Sequence, residues 1–385
     1  MYGQDNKMPL MTRSWTSGQS TTSPTFQTYT LQAVASTPPA ARQDGGVVYF
    51  NNLIYFFGGV DQYNTYYNDM WTFNSATTVW SQLSTTGTAP AARGGFAMFV
   101  YNSLIYIYGG INASGTLYSN TFTFNPTTKA WASISPSGAV ARYNFAYALN
   151  PAGTSLYMFG GTNSSFASTS SIYLLNLSTP AWSVVNVSGL PAASSQFGAV
   201  LVTSTSKFYM YANSNLYSFT NGGASASTVT TTGSHPGAIA GCAISVYQSD
   251  VFVYGGYNGL AVTNSLYYCN TSTNVWTNIS SSFLTNARYL PQYTTNGVLW
   301  YIFGGCNSNG NTFTDNYYVT IGSGTSSQIS TANPLPVTVN ATTFTYGGIT
   351  FTVFKDTNGK VAVRASVPIF QPAGSITFTS LLVLA

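Results

Sequence analysis

The chain has 385 residues, and only 5% of them are charged: 11 Lys and Arg against 7 acids, a formal charge of +4. Globular domains ordinarily carry about a quarter charged residues, so solubility here must come from Ser, Thr and Asn. All the acids are aspartates and His235 is the one histidine, which excludes a glutamate-based hydrolase and any metal centre built on several histidines. The few basic residues are scattered along the chain, so no stripe for nucleic acid forms.

In chain order, residues 1–27 are polar and rich in Ser, Thr and Gly, the composition of an extended arm. TYTLQAV (28–34) reads as a strand. A unit then begins that recurs to residue 321. Its first copy holds an arginine (Arg42, in PPAAR), an inner strand GGVVYF, a second strand NLIYFFGG, a third strand NDMWTFN and a fourth, VWSQL. Runs of Val, Ile, Tyr, Phe and Trp bounded by Asn, Gly and Ser/Thr are strand signals. The diglycines stand at 58–59, 109–110, 160–161, 255–256 and 304–305. KFYMYA (207–212) occupies the place of a further copy without the glycines, so six copies are expected. A period near 50 residues signals stacked units that cannot bury their faces alone.

The arginine before the inner strand (Arg42, Arg93, Arg142, Arg288), the diglycine, and the closing Trp80, Trp131, Trp182 and Trp276 together resemble the kelch repeat. The resemblance implies an all-β fold, a six-bladed β-propeller of four-stranded blades around a channel. The fourth copy departs from it: Tyr211-Ala212 stand for the glycines and no Trp closes it, while Ser194 and Ile239 occupy the arginine positions of copies four and five. Copy six lacks a fourth strand, so strand 28–34 is expected to complete the last blade and remove an open edge.

The expected organisation is therefore an arm over 1–27, a propeller over 28–321 and a small β appendage over 322–385. In the appendage ITFTVFK and KVAVRASV flank Asp-Thr-Asn-Gly, a hairpin signal. Residues 375–385 end in uncharged apolar residues and read as a strand that pairs with another subunit, the arm 1–27 reaching a further contact. No segment has signal-peptide character or the length to span a bilayer. With the low charge, this points to an extracellular or virion surface reached without a cleaved signal. Cys242, Cys269 and Cys306 read as free buried thiols.

The chemistry expected is binding. One histidine cannot build the copper site of kelch-type oxidases, so no cofactor and no metal are expected, and the chain is read as a non-enzyme. In kelch adaptors, arginines at the repeat position line a pocket for acidic peptides. By that resemblance Arg42, Arg93, Arg142 and Arg288 are candidate ligand residues at one channel mouth, against the plainer role of bracing loops. Tyr63, Tyr66, Tyr67 and Tyr257, in the connecting loops, are candidates for a glycan platform. The leading functional expectation is a structural or host-attachment protein on a particle, oligomeric through its ends. The alternatives are a soluble binding module for an acidic peptide or a glycan, and a hydrolase that uses aspartates.

Overall fold

A computed structural model describes residues 27–31, 35–280, 286–297 and 299–320, and the backbone of three strands between 341 and 365. The chain divides into two units, 1–323 and 324–385. The first is a ring of six sheets, antiparallel except where the two-residue strand Thr232–Gly233 adds in parallel to the outer edge of blade five. Blade one comprises Gly46–Phe50, Leu53–Phe57, Met70–Asn74 and Val79–Gln82, in that order from the channel outward. Blades two to five repeat this order from inner strands Ala97–Tyr101, Ala146–Leu149, Gly198–Val202 and Ala243–Tyr247. Blade six takes three strands from the end of the ring, and its outer strand is Gln27–Leu31, antiparallel to Asn316–Thr320. The expected arm before residue 27 and the assembly strand over 375–385 lie outside the described residues. In the second unit Ile349–Lys355 pairs with both Ala341–Tyr346 and Val361–Ala365.

Neighbouring blades are packed by aromatic residues. Each blade's second strand has a large ring near its end, just before the diglycine except in blade four, and at four junctions the Trp of the next blade's outer strand lies against it. Trp80 is 5.4 Å from Phe303, Trp131 5.2 Å from Phe57, Trp182 4.5 Å from Tyr108 and Trp276 5.5 Å from Tyr211, centroid to centroid. These are tilted and edge-on pairs, the geometry that ring quadrupoles favour. Blade four has no Trp. Phe208 and Phe219 of that blade fill the space instead, with Phe208 5.5 Å from Phe159 of blade three.

The diglycine is where one blade joins the next. The second glycine donates its N–H to the carbonyl of the residue at the next blade's arginine position: Gly59 to Arg93 at 2.9 Å, Gly110 to Arg142 at 2.8 Å, and Gly305 back to Arg42 at 3.0 Å. The first glycine needs both a positive φ and the close approach that absence of a Cβ allows. Gly109 has φ +76°, and a Cβ there would lie 2.8 Å from the Arg142 carbonyl oxygen. Blade four escapes the requirement because its second strand runs through Tyr211-Ala212 and turns at once at Asn213-Ser214 into the third strand.

Gly109→Ala is expected to destabilise the ring by more than the left-handed backbone penalty of about 1–2 kcal/mol, since the contact with blade three must also open. Ala212→Gly, at the blade-four position that needs no glycine, should cost less. Denaturant melts of the two variants check this ranking.

Candidate functional site

At the start of every inner strand the chain passes through a residue in the left-handed region: Asp44, Gly95, Asn144, Gln196, Gly241 and Leu290, with φ between 50° and 67°. Each stands two residues after an arginine position. Their backbones form a closed girdle. Gly95 N–H donates to the Asp44 carbonyl, Asn144 to Gly95, Gln196 to Asn144, Gly241 to Gln196, Leu290 to Gly241, and Asp44 to Leu290, at 2.5–3.2 Å. Six hydrogen bonds, one per blade junction, thus ring one mouth of the channel. Below it the inner strands enclose a cavity of about 470 Å³.

The four arginines do not line that mouth. Arg42, Arg93, Arg142 and Arg288 are buried, at 2%, 0%, 5% and 0% exposure. Each guanidinium donates through Nη1 to the carbonyl of the first glycine of its own blade: Gly58, Gly109, Gly160 and Gly304. Each also reaches the residue just before the third strand, or its near neighbour. Arg42 grips both carboxylate oxygens of Asp69 at 2.5 and 3.0 Å, and Arg288 meets Asp315 at 2.7 Å. Asn120 and Ser171 take the same part for Arg93 and Arg142. The Nε atoms of Arg42 and Arg93 donate to the backbone carbonyls of Ala40 and Ala91. Burial lowers the Arg93 pKa to about 10, which leaves it charged at neutral pH. The expected anion pocket is therefore corrected: guanidiniums buried inside their own blades, each held by a glycine carbonyl, present no exposed face to an acidic peptide.

The tyrosines divide. Tyr67 lies under the Arg42 guanidinium, 3.8 Å from centroid to Cζ, and its hydroxyl donates to Asp61. It is a stacking partner of the clamp, as Tyr118 is for Arg93 at 4.0 Å. Tyr66 is half-buried near the mouth, with its ring beside Gly94 and the Asp44 carboxylate close enough to raise its pKa in addition to burial. Tyr257 is partly exposed and packs edge-on to Tyr289, 6.2 Å away. Tyr63 is 79% exposed at a loop tip.

That tip belongs to a feature with a sequence signal. Two residues after each diglycine stands an Asp or Asn: Asp61, Asn112, Asn163, Asn258 and Asn307. Each side-chain oxygen accepts backbone N–H groups from the residues that follow, which closes a tight turn. These turns stand at the girdle end of the ring, because the second strand ends where the inner strand begins (Gly46 opposite Phe57). Three turns present large apolar side chains to solvent: Tyr63 in blade one, Phe166 in blade three (59% exposed) and Leu260 in blade five (91%). Blades two and six carry Ser114 and Asn309 there, and blade four has no such turn.

All seven aspartates are candidates in the hydrolase alternative, and the four described besides Asp44 have structural duties. Asp69 and Asp315 pair with arginines, Asp61 closes a turn, and Asp250 is buried and accepts from Asn270. Burial raises Asp250 to about 6. Asp5 and Asp356 lie outside the described residues. His235 is in an exposed loop, where its Nδ1 accepts the Gly237 N–H. The three cysteines are buried and free, and burial raises the Cys242 thiol to about 12.

Asp44 differs from the rest. It projects at the girdle, half-buried by the channel wall and without a cationic partner among the described residues. Burial raises its pKa from the ordinary 3.8 to about 7. With the Asn144 amide turned nitrogen-first, it donates to the carboxylate at 2.9 and 3.2 Å, and its oxygen accepts from Gln196 at 3.1 Å. Tyr289 in turn donates its hydroxyl to Gln196. The polar network thus runs from blade one through three and four to the residues leading into blade six.

Two outcomes follow. Arg288→Ala removes the cation that pairs with Asp315, leaving it the Tyr317 hydroxyl, and removes the Gly304 carbonyl's guanidinium donor; it is expected to cost about 3–5 kcal/mol of stability, read as a lowered denaturation midpoint. For Asp44, burial lets the folded chain keep above pH 3.8 a proton that the unfolded chain has released, over a window that the Asn144 donors narrow from its upper end at about 7. Its contribution therefore falls as pH rises through that window. Asp44→Asn should melt higher than wild type at pH 8, and the difference should shrink towards pH 4.

The comparisons agree with this architecture. The family described as KLHDC2/KLHL20/DRC7 Kelch-repeats domain matches residues 17–149 and 146–354. Kelch domain-containing protein 10 of Rattus norvegicus is 23% identical over 300 residues, covering 70% of this chain and 72% of its own; the Homo sapiens protein gives the same identity with 67% of its length covered. Kelch domain-containing protein 3 of Rattus norvegicus is 26% identical over 132 residues, 34% of this chain and 35% of that protein. With the six blades, the buried arginines and the diglycine junctions, the family match shows that the chain belongs to the kelch-repeat β-propellers.

Proposed function

We propose that this protein is a non-catalytic structural or attachment component on the exterior of a particle, virion-like, whose kelch propeller is a protein-interaction platform. The observation that carries the reading is the girdle-end face: Tyr63, Phe166 and Leu260 stand exposed on alternate blades, each held at the tip of a side-chain-capped turn. Large apolar side chains fixed on rigid turns lose little entropy when a partner covers them. Aromatic anchors are also the residues that most often dominate such interfaces. The blades hold these tips in place, so the face needs no rearrangement to engage.

The low charge supports an exterior setting. A surface solvated by Ser, Thr and Asn hydroxyls and amides stays soluble with little change across pH, because few of its groups titrate. An extracellular or virion-surface location, an oligomer joined through the chain's ends, and a role in host attachment belong to this same proposal. The buried arginines weigh against the alternative of an acidic-peptide module. The exposed Tyr63 and Tyr257 leave a glycan as the second class of partner for the same face.

The test is a triple variant, Tyr63→Ser, Phe166→Ser and Leu260→Ser, produced in the native particle. It is expected to melt with the wild type, since all three side chains are exposed, and to lose particle incorporation or host binding at least about tenfold. Normal incorporation and normal host binding of the triple variant would overturn the reading.

A further inference from the structure

The girdle mouth joins two features that the loop face does not explain: a carboxylate without a counter-charge, and a cavity whose walls are mostly apolar. The 470 Å³ of space lies within the range of small-molecule sites. Val48, Val100, Ala148, Val200, Ile244 and Val246 are among its lining residues. Around Asp44 at the mouth stand neutral polar groups, the Asn144 amide that donates to it, the Gln196 amide behind that, and the Tyr66 and Tyr289 hydroxyls. Among the described residues no lysine or arginine contributes to this lining.

We infer that the channel mouth is a binding site for a single primary ammonium group on an aliphatic stem, with Asp44 as counter-ion and the apolar inner strands receiving the stem. The physical case rests on pairing. A carboxylate held in a partly desolvated mouth is unfavourable when alone and gains most from a cation that brings its own hydrogen-bond donors. An ammonium has three donors and no acceptor, and a carboxylate has about four lone-pair sites, so Asp44 keeps acceptor capacity beyond the Asn144 amide for a cation that brings its own donors. A metal ion is a poorer match: among the described residues no cluster of three His, Cys, Asp or Glu side chains exists to hold one. An anion is excluded by the sign of Asp44. The group could be that of a free alkylamine or of a lysine side chain offered by a partner.

The inference does not depend on the loop-face reading, because its residues face the channel and not the turn tips. It also has its own pH signature. The titratable groups that face Asp44 are Tyr66, Tyr289 and Cys306, with Tyr143 beside Tyr66. Burial raises the first three, Tyr289 to about 12 and Cys306 to about 11. Asp44 is thus the group at this mouth that titrates near neutrality.

The experiment is calorimetric titration of the full chain at pH 8 with hexylammonium, hexanol and hexanoate, and with Nα-acetyl-lysine methylamide. Hexylammonium should bind, hexanol about tenfold or more weakly, and hexanoate not at all. Binding of hexylammonium should weaken about tenfold or more in Asp44→Asn and, in the wild type, as pH falls from 8 to 5. The melting curve of the variant at pH 8 confirms that it is folded. Comparable binding of the lysine derivative would assign the site to a partner's side chain; binding of hexylammonium alone would assign it to a free amine. Equal affinity of wild type and Asp44→Asn for hexylammonium, equal binding of hexanoate, or no binding of either amine would overturn the inference.

Discussion

The ring depends on a backbone contact between blades: the second glycine's N–H on the carbonyl of the next blade's arginine position. That contact brings two main chains so close that a Cβ on the first glycine cannot be accommodated. The arginine then completes the junction from the other side. Its carbonyl receives the neighbouring blade while its guanidinium fastens the first-glycine carbonyl of its own blade. One residue therefore ties three segments together, the strand entrance, the strand exit and the adjacent blade. The aromatic packing between sheets adds apolar area, but it is this junction that sets the angle at which blades meet. The girdle is its continuation two residues on, where the same turn brings six left-handed residues into a closed circle.

Blade four shows what happens when the junction is relaxed. Losing the diglycine, the connecting turn and the arginine at Ser194 goes with a direct hairpin at Asn213-Ser214. The following blade keeps its glycines but has Ile239 where an arginine would be, and that side chain packs into the apolar cluster with Tyr211 and Cys242. A charged clamp has been exchanged there for hydrophobic contact. Such exchange is physically reasonable, because a buried ion held by good hydrogen bonds and a well-packed apolar group can be of similar net worth.

Much of the fold was legible because repetition is itself the signal. Gly58, Gly109 and Gly160 recur at one interval, and tryptophans follow each at another, so blade number and strand order needed no side-chain detail. The arginine site was not legible in the same way. Spacing placed Arg42, Arg93, Arg142 and Arg288 next to the mouth, but spacing does not say which way a side chain turns. The deciding signal was a second periodicity, the Asp69, Asn120 and Asp315 that stand 27 residues after their arginines. A repeat-locked arginine with a repeat-locked acceptor is an internal pair. Asp44 was obscure for the opposite reason. It occurs in one blade only, and nothing periodic marks it; only the girdle shows that its carboxylate faces across the channel to Asn144.

The outer strand of the last blade, Gln27–Leu31, comes from the start of the chain and pairs with Asn316–Thr320 near the end of the ring. During synthesis its partner does not exist until every other blade has left the ribosome. The earlier blades can each form from local hairpins, but the circle stays open, with one unpaired strand at each end. Contacts of such large sequence separation are slow to form, and open β edges are the exposed state that associates with the wrong chain. The pairing that completes the last blade thus places the most vulnerable moment of this molecule's life at the end of its translation. A second nascent copy nearby could supply the missing strand in place of the chain's own.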